Sequence, residues 1–100
     1  MNKDFDELQI TIGKWSDSQF GKRDHINGIL KHLIEEIIEI SEDPKDITEF
    51  GDAYMLFSDA ARISGFTMSQ VYDATLEKLE INKNREWALD EESGLMKHVK

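Results

Sequence analysis

Apolar residues recur along most of the chain at intervals of three and four, the period of an amphipathic α-helix. The first such stripe consists of Phe5, Leu8, Ile12 and Trp15. Three further stripes follow, separated by short segments that contain the only proline and several glycines. The pattern predicts an all-α protein with four helices, over about 5–20, 25–41, 44–64 and 68–87, and an irregular tail over 88–100.

Short-range signals support the ends of these helices. Asp24 is the expected N-cap of the second helix, and Gly65 is the expected C′ residue that ends the third. Thr67, followed three residues later by Gln70, fits a capping box at the start of the fourth helix.

The segment SEDP, residues 41–44, predicts a tight turn between the second and third helices. Asp43 suits a cap, Pro44 suits the first helical position, and Asp46 adds negative charge to the first turn. Such a short connection makes the two helices antiparallel neighbours.

Acidic residues on these two helices are expected to face each other. Glu36 and Glu39 lie with His32 on the flank of the apolar stripe of the second helix. Glu49 and Asp52 occupy the third helix at a similar distance from the turn, roughly 9 Å along each axis. The four carboxylates can therefore converge on a small volume.

Converging carboxylates repel one another and need positive partners. Hard oxygen ligands favour Mg²⁺ or Mn²⁺ over softer metals, so the sequence predicts a divalent metal site. A charge run beside an apolar stripe is also typical of a solvated helix face, which is the simpler interpretation of either helix alone.

The third helix is apolar nearly all round, which predicts a buried helix. Leu56 and Ile63 project from one side. The opposite side is a broad apolar face made of Ile47, Phe50, Ala53, Tyr54, Phe57, Ala60 and Ala61.

A row of hydrogen-bond donors follows the fourth helix. Lys78, Asn82 and Arg85 fall within about 60° of one another on the helical wheel. If this row faces the acidic cluster, it suits phosphate groups that the metals leave unneutralised. Surface basic residues that pair with nearby glutamates give the same pattern.

Composition narrows the class of protein. One hundred residues predict a single domain, residues 1–100. The chain contains no cysteine, so any metal must be held by oxygen or imidazole. The net charge of −9 argues against binding a nucleic acid polymer. No signal peptide or membrane span is visible, so a cytoplasmic protein without a membrane partner is expected.

The acidic motifs carry a resemblance to a known family. EExxE at Glu35 to Glu39, followed by ExxD at Glu49 to Asp52, resembles the all-α nucleoside triphosphate pyrophosphohydrolases of the MazG and dimeric dUTPase superfamily. HLxxExxE around His32 and EKLEINKNREW up to Trp87 are similar to the short dATP/dGTP diphosphohydrolase branch found largely in phages.

The resemblance implies a MazG-like four-helix bundle that is completed by forming a homodimer or homotetramer. It implies metal-dependent hydrolysis of nucleoside triphosphates, with purine deoxynucleotides preferred, to the monophosphate and pyrophosphate. Mg²⁺, or Mn²⁺ in its place, is the implied cofactor, and the cytoplasm of a bacterium or a phage-infected host is the implied location. The implied metal ligands are Glu36, Glu39, Glu49 and Asp52.

The other site residues follow from the same resemblance. Lys78, Asn82 and Arg85 bind phosphates, and His32 hydrogen-bonds a metal ligand or is structural. Glu35, with Glu36, is a catalytic candidate that positions or deprotonates the attacking water, although Glu35 also suits a solvated role. Trp15 and Trp87 are candidates for stacking on the base, and both also suit a core position.

Two rival functions remain open. An acidic helical interaction protein, such as a phage mimic of DNA charge, also explains the net charge of −9. A nucleotide sensor that keeps the fold without the reaction is the second rival.

Overall fold

The computed structural model describes residues 2–22 and 25–99 as four helices followed by a two-stranded antiparallel sheet. The helices are α1 Asn2–Phe20, α2 Ile26–Glu42, α3 Ile47–Ile63 and α4 Met68–Lys83. The strands are β1 Trp87–Asp90 and β2 Leu95–His98. Four helices therefore carry the fold, as the apolar periodicity predicts.

The turn between α2 and α3 differs from its predicted form. Asp43 is the C-cap of α2, and its N–H bonds to the carbonyl of Glu39. The N-cap of α3 is Asp46, whose carboxylate accepts hydrogen bonds from the Thr48 N–H at 3.0 Å and its hydroxyl at 2.6 Å. The predictions that Asp43 caps α3 and that Pro44 begins it are wrong. Asp43, with φ −144° and ψ 74°, lies outside the extended region that an N-cap residue adopts, whereas Asp46 lies within it. Pro44 instead lies in a turn that the Asp46 N–H closes by bonding to the carbonyl of Asp43.

Other helix ends follow the predicted signals. Gly65 has φ +93° and closes α3 in a Schellman motif, with N–H bonds from Gly65 to Arg62 and from Phe66 to Ala61. Thr67 and Gln70 form the predicted capping box of α4. Asp24, the predicted N-cap of α2, lies outside the described residues, and the structure has His25 at the N-cap position.

The C-terminal segment forms a β-hairpin, so the predicted irregular tail is wrong. The fourth helix is also shorter than predicted, since α4 ends at Lys83 and Trp87 begins β1. Trp87 pairs with His98 and Asp90 with Leu95 across the two strands. In the turn, the Asp90 carboxylate accepts hydrogen bonds from the Glu92 N–H and the Ser93 hydroxyl, and Gly94 adopts φ +72°. Asp90 also pairs with Lys97 at 2.9 Å, which helps to hold the strands in register.

α2 and α3 form an antiparallel hairpin, and α1 packs across α3 and α4. The buried core of the hairpin consists of Ile29, Leu56 and Ala60. Gln9 of α1 is buried and ties three segments together. Its amide donates to the carbonyls of Ser58 and Phe66 and accepts from the N–H of Met68. This network fixes α1 against the end of α3 and the start of α4.

Part of α3 stays exposed in a single chain. Leu56 and Ala60 are in the core, but Ile47 is 81% exposed and Phe50 and Phe57 are about half exposed. The prediction of a helix buried all round is therefore met only in part, because the three other helices do not surround α3. None of the described helices is long and apolar enough to span a membrane.

Candidate metal and nucleotide site

Three carboxylates meet across the α2–α3 hairpin. Glu36 projects from α2, and Glu49 and Asp52 project from α3 one turn apart. One oxygen from each residue lies within 4.8 Å of the other two. Convergence follows from the tight antiparallel turn, which places residues at equal distances from the turn opposite each other. The predicted meeting of the two acidic motifs is thus present.

Two oxygens of this cluster are buried without a hydrogen-bond partner among the described residues, namely Oε2 of Glu36 and Oε2 of Glu49. The Glu36 side chain is only 13% exposed. A buried carboxylate oxygen without a partner is costly, so some group must normally compensate it.

The pKa values of Glu36 and Glu49 are both raised, which also indicates that the cluster needs a compensating positive charge. A hydrogen bond with Glu39, burial, and repulsion by Glu39, Asp52 and Glu49 together raise the pKa of Glu36 from 4.5 to about 7. Burial, followed by repulsion from Glu39 and other nearby acids, raises the pKa of Glu49. Without a cation, Glu36 therefore keeps its proton at pH values between 4.5 and about 7, where an isolated glutamate has lost it.

The residues fit a divalent metal ion. The donors are hard carboxylate oxygens, they converge on one small volume, and Glu36 and Glu49 each have a buried oxygen without a hydrogen-bond partner in the described part of the chain. This is the donor set that Mg²⁺ and Mn²⁺ prefer. Glu39 lies close enough to share a proton with Glu36, but it is not one of the three residues whose oxygens meet within 4.8 Å. Its role as a ligand stays a prediction.

His32 lies beside the cluster, one turn before Glu36. Its Nε2 is 3.5 Å from Oε1 of Glu36. The ring can therefore orient the carboxylate oxygen that it approaches, as the predicted hydrogen bond to a metal ligand requires. Glu35, on the neighbouring position of α2, is exposed.

A cavity of about 260 Å³ opens next to the acidic cluster. Glu36 and Asp52 line one end of it, with His32 beside them. From α1, the cavity receives Ile12, Trp15, Ser16 and Phe20. The cavity therefore joins a predicted metal site to a largely apolar chamber, which is the arrangement of a ligand pocket.

Trp15, predicted to stack on a base, lines this cavity and is 52% exposed. Its ring meets Phe20 edge to face, with centroids 5.6 Å apart. Sequence reasoning missed Phe20 and Asp59 as cavity residues. The signal for Asp59 was its spacing of seven from Asp52, two turns along the same face of α3.

The predicted donor row is not brought to this site within one chain. α4 meets α1 where Ser69 bonds Asp6 and Met68 bonds Gln9. These contacts show that α4 runs antiparallel to α1. Each further turn of α4 therefore lies closer to the N-terminal end of α1, whereas the C-terminal half of α1 lines the cavity. Among the described residues, α4 does not pack against α2. Lys78 and Asn82 on α4 therefore lie apart from the cluster. Arg85 lies beyond the end of α4 at Lys83, so the three donors do not form one helical row. Their contact with phosphates stays a prediction.

Trp87 is also apart from the cavity. Its indole Nε1 donates to the carbonyl of Asn82 at 2.8 Å, and its ring lies against His98 with centroids 5.8 Å apart. These contacts attach the β-hairpin to the end of α4. Trp87 therefore holds the hairpin in place, and it is not among the described residues that line the cavity.

Residues 8–100 match the dATP/dGTP pyrophosphohydrolase family. A MazG-like pyrophosphohydrolase of cyanophage S-2L, solved bound to dGDP and three catalytic Mn²⁺ ions per active site, is 33% identical with a TM-score of 0.77. The match covers 94% of this chain and 95% of that one.

The Eaa protein of Salmonella phage P22 is 39% identical over 58 residues. That segment is 58% of this chain and 18% of the relative, so the similarity spans less than a fifth of the relative's length. The resemblance carried by the acidic motifs is confirmed, and the chain belongs to the dATP/dGTP pyrophosphohydrolase family.

Proposed function

We propose that the protein hydrolyses purine deoxynucleoside triphosphates to the monophosphate and pyrophosphate in the presence of Mg²⁺ or Mn²⁺. The observation that carries the proposal is that an acidic cluster lies next to a cavity. The cluster consists of Glu36, Glu49 and Asp52, and two of these carboxylates have a buried oxygen without a hydrogen-bond partner within residues 2–22 and 25–99. The cavity is lined by Trp15 and opens beside the cluster. Membership of the family and the nucleotide and Mn²⁺ bound by the cyanophage relative support the same reaction.

Glu36, Glu39, Glu49 and Asp52 would hold the divalent ions. His32 would keep the Glu36 carboxylate turned toward them, because its Nε2 approaches the other oxygen of that group. Bound divalent ions supply charge neutralisation for the phosphates and polarisation of the attacking water.

The chain's own residues then position the substrate. The base and sugar enter the cavity and stack against Trp15, which places the α-phosphorus at the acidic end. The water oxygen bonds to that phosphorus, the bond to the bridging oxygen breaks, and pyrophosphate leaves. Glu35, exposed on α2, accepts the proton of the water in this proposal.

The phosphate donors require a second subunit. α4 runs away from the cavity of its own chain, while the broad apolar face of α3 stays exposed at Ile47, Phe50 and Phe57. We infer a homodimer or homotetramer that covers this face and brings Lys78, Asn82 and Arg85 of a neighbouring copy toward the triphosphate.

Incubation with a panel of dNTPs and NTPs and either metal tests the proposal. Monophosphate and pyrophosphate are the expected products, and release of orthophosphate would show attack at the wrong phosphorus. Asp52→Asn should nearly abolish turnover and weaken Mn²⁺ binding. Glu35→Gln should lower turnover while leaving Mn²⁺ binding intact, and equal turnover would leave Glu35 as a solvated residue.

A further inference from the structure

The last quarter of the chain, residues 72–99, projects from the helical bundle. No residue of this segment is buried, and residues 72–81 of α4 are exposed on every side of the helix. The strands β1 and β2 pack against none of the helices in the described part of the chain, and the bond from the Trp87 indole to the carbonyl of Asn82 attaches them to α4. We call residues 72–99 the arm.

One face of the β-hairpin in the arm is apolar. Leu89 lies opposite Met96, and Trp87 lies opposite His98. Residues two apart on a strand share a face, so these four side chains lie together. Leu89 and Met96 are each 58% exposed. The hairpin therefore presents three apolar side chains and an imidazole on one face, with nothing from the described part of its own chain packed over them.

A two-stranded hairpin of this kind is marginally stable at best in water unless a further strand or a helix covers its apolar face. The arm supplies neither to itself. On α4, Leu76 and Leu79 are also about half exposed, so the apolar surface continues from the hairpin along the helix. The folded arm therefore requires a contact from outside the single chain.

The surface of the whole chain indicates how large that contact is. One copy exposes 7748 Å². A compact monomer of 11.6 kDa exposes about 5,800 Å², so a single copy exposes about 1,900 Å² more than its mass requires. The radius of gyration, 16.0 Å, also exceeds the value of about 13 Å for a compact chain of 100 residues.

An excess of this size fits a permanent interface. Each subunit of an obligate dimer buries roughly 1,000–2,500 Å², whereas a partner in an interface of standard size buries about 800 Å². A permanent interface needs a partner that is present whenever the protein is present, and a second copy of the chain meets this condition. The net charge of −9 argues against an anionic lipid surface or a nucleic acid as the partner.

We propose that the arm, residues 72–99, is an assembly element that packs on a second copy of this chain. Two copies related by a two-fold axis exchange their arms, so each arm is covered by the other copy. The proposal rests on the homo-oligomer inferred with the proposed function, and it does not depend on the reaction. It adds the arm to the exposed face of α3 as part of one contact surface.

Sedimentation over a range of protein concentrations tests the role of the hairpin face. Leu89→Glu places a charge in that face and should raise the dissociation constant of the assembly at least about thirtyfold, the effect of losing one hot-spot residue. Ala88→Glu is the matched control, because Ala88 is exposed and lies opposite Lys97 on the other face of the hairpin. It should change the dissociation constant by less than about threefold. Equal dissociation constants for Leu89→Glu and the wild type would overturn the proposal.

Cross-linking of the wild type gives a second test that needs no variant. Isotopically heavy and light copies are refolded together and treated with a lysine-reactive cross-linker. The lysines of the arm, Lys78, Lys83 and Lys97, should form links between heavy and light copies. Links from these lysines only within one copy, or a wild type that sediments as a monomer, would overturn the proposal.

The arm and the reaction fail separately. If Leu89→Glu dissociates the assembly and the wild type hydrolyses no triphosphate, the reaction is wrong and the role of the arm stands. If the wild type hydrolyses triphosphates and Leu89→Glu keeps the wild-type mass at every concentration, the role of the arm is wrong and the reaction stands. If Leu89→Glu does not fold, the cross-links of the wild type decide alone.

Discussion

Asp59 and Glu36 are both largely buried carboxylates, and the chain compensates only one of them. Asp59 has the guanidinium of Arg62 at 3.2 Å. Glu36 has Glu39, Glu49 and Asp52 as neighbours, all of which raise its pKa, and one of its oxygens is buried without a partner among the described residues. A protein cation stabilises the first group, whereas the second requires a proton or a bound ion.

Metal-free protein should therefore lose stability as the pH rises from about 5 to about 7. The pKa of Glu36 is raised from 4.5 to about 7, so in this window the folded state holds a proton that the unfolded state has released. The free energy of unfolding falls with pH wherever the folded state binds more protons. Urea denaturation in a chelating buffer at several pH values measures the effect.

Glu36→Gln is the control for this titration. It removes the titrating group while keeping a hydrogen-bonding side chain, so its unfolding free energy should vary less between pH 5 and pH 7 than that of wild-type protein. Saturating Mn²⁺ at pH 7 should stabilise the wild type more than the variant. An identical pH profile for the two proteins would contradict the crowding of acids at Glu36.

Helix geometry was sufficient to predict part of the site. Glu36, Glu49 and Asp52 converge because a short turn fixes two neighbouring helices, and both the turn and the acids are local features of the sequence. Asp59 and Phe20 join the same cavity only because α1 crosses α3 at a particular angle. That crossing depends on long-range contacts such as those of Gln9, which periodicity does not reveal.

The hairpin of α2 and α3 is the element that creates the metal site, and Asp46 fixes where α3 begins. Asp46→Ala removes the hydrogen bonds to the Thr48 N–H and hydroxyl that also lower the pKa of Asp46. It should destabilise the protein by about 1 kcal/mol relative to Asp46→Asn, which keeps an acceptor and removes the charge. Urea denaturation with both variants measures the difference.

Asp43→Ala tests whether Asp46, the observed N-cap of α3, or Asp43, the predicted one, stabilises the helix. Asp43 ends α2 through its backbone N–H, which alanine retains, so the unfolding free energy should change by less than about 0.5 kcal/mol. A loss as large as that of Asp46→Ala would return the N-cap of α3 to Asp43. Sequence signals located the turn correctly. They did not show where α3 begins, because Asp43, Pro44 and Asp46 all suit the start of a helix.

The β-hairpin is an element that the spacing of apolar residues does not predict. Leu89, Leu95, Met96 and Val99 are all more than half exposed, so no apolar alternation directed toward a core marks these strands. Their pairing is held by backbone hydrogen bonds, by the Asp90 turn and by its ion pair with Lys97. Such local polar contacts are compatible with many loops, which explains the wrong prediction of an irregular tail.

At the scale of the whole molecule, a single chain leaves the broad apolar face of α3 uncovered at Ile47, Phe50 and Phe57. Phe50→Glu places a charge in this face and should convert an assembly of two or four copies into the 11.6 kDa monomer. Phe50→Leu keeps the face apolar and should preserve the assembly. Sedimentation of the three proteins measures their masses, and a monomeric wild type would remove the basis for a shared site.

Mixing two inactive variants tests whether the site is shared between copies. Asp52→Asn damages the acidic cluster, and Lys78→Ala damages the donor row, which lies apart from that cluster in its own chain. If the row acts on a neighbouring copy, one site of each mixed dimer contains only intact residues. Randomly paired dimers should then regain about a quarter of the wild-type turnover, since half of them are mixed and one of two sites is restored. No recovery after co-refolding, with mixed assemblies present by mass, would place Lys78 outside the shared site and leave the phosphates to the metal ions alone.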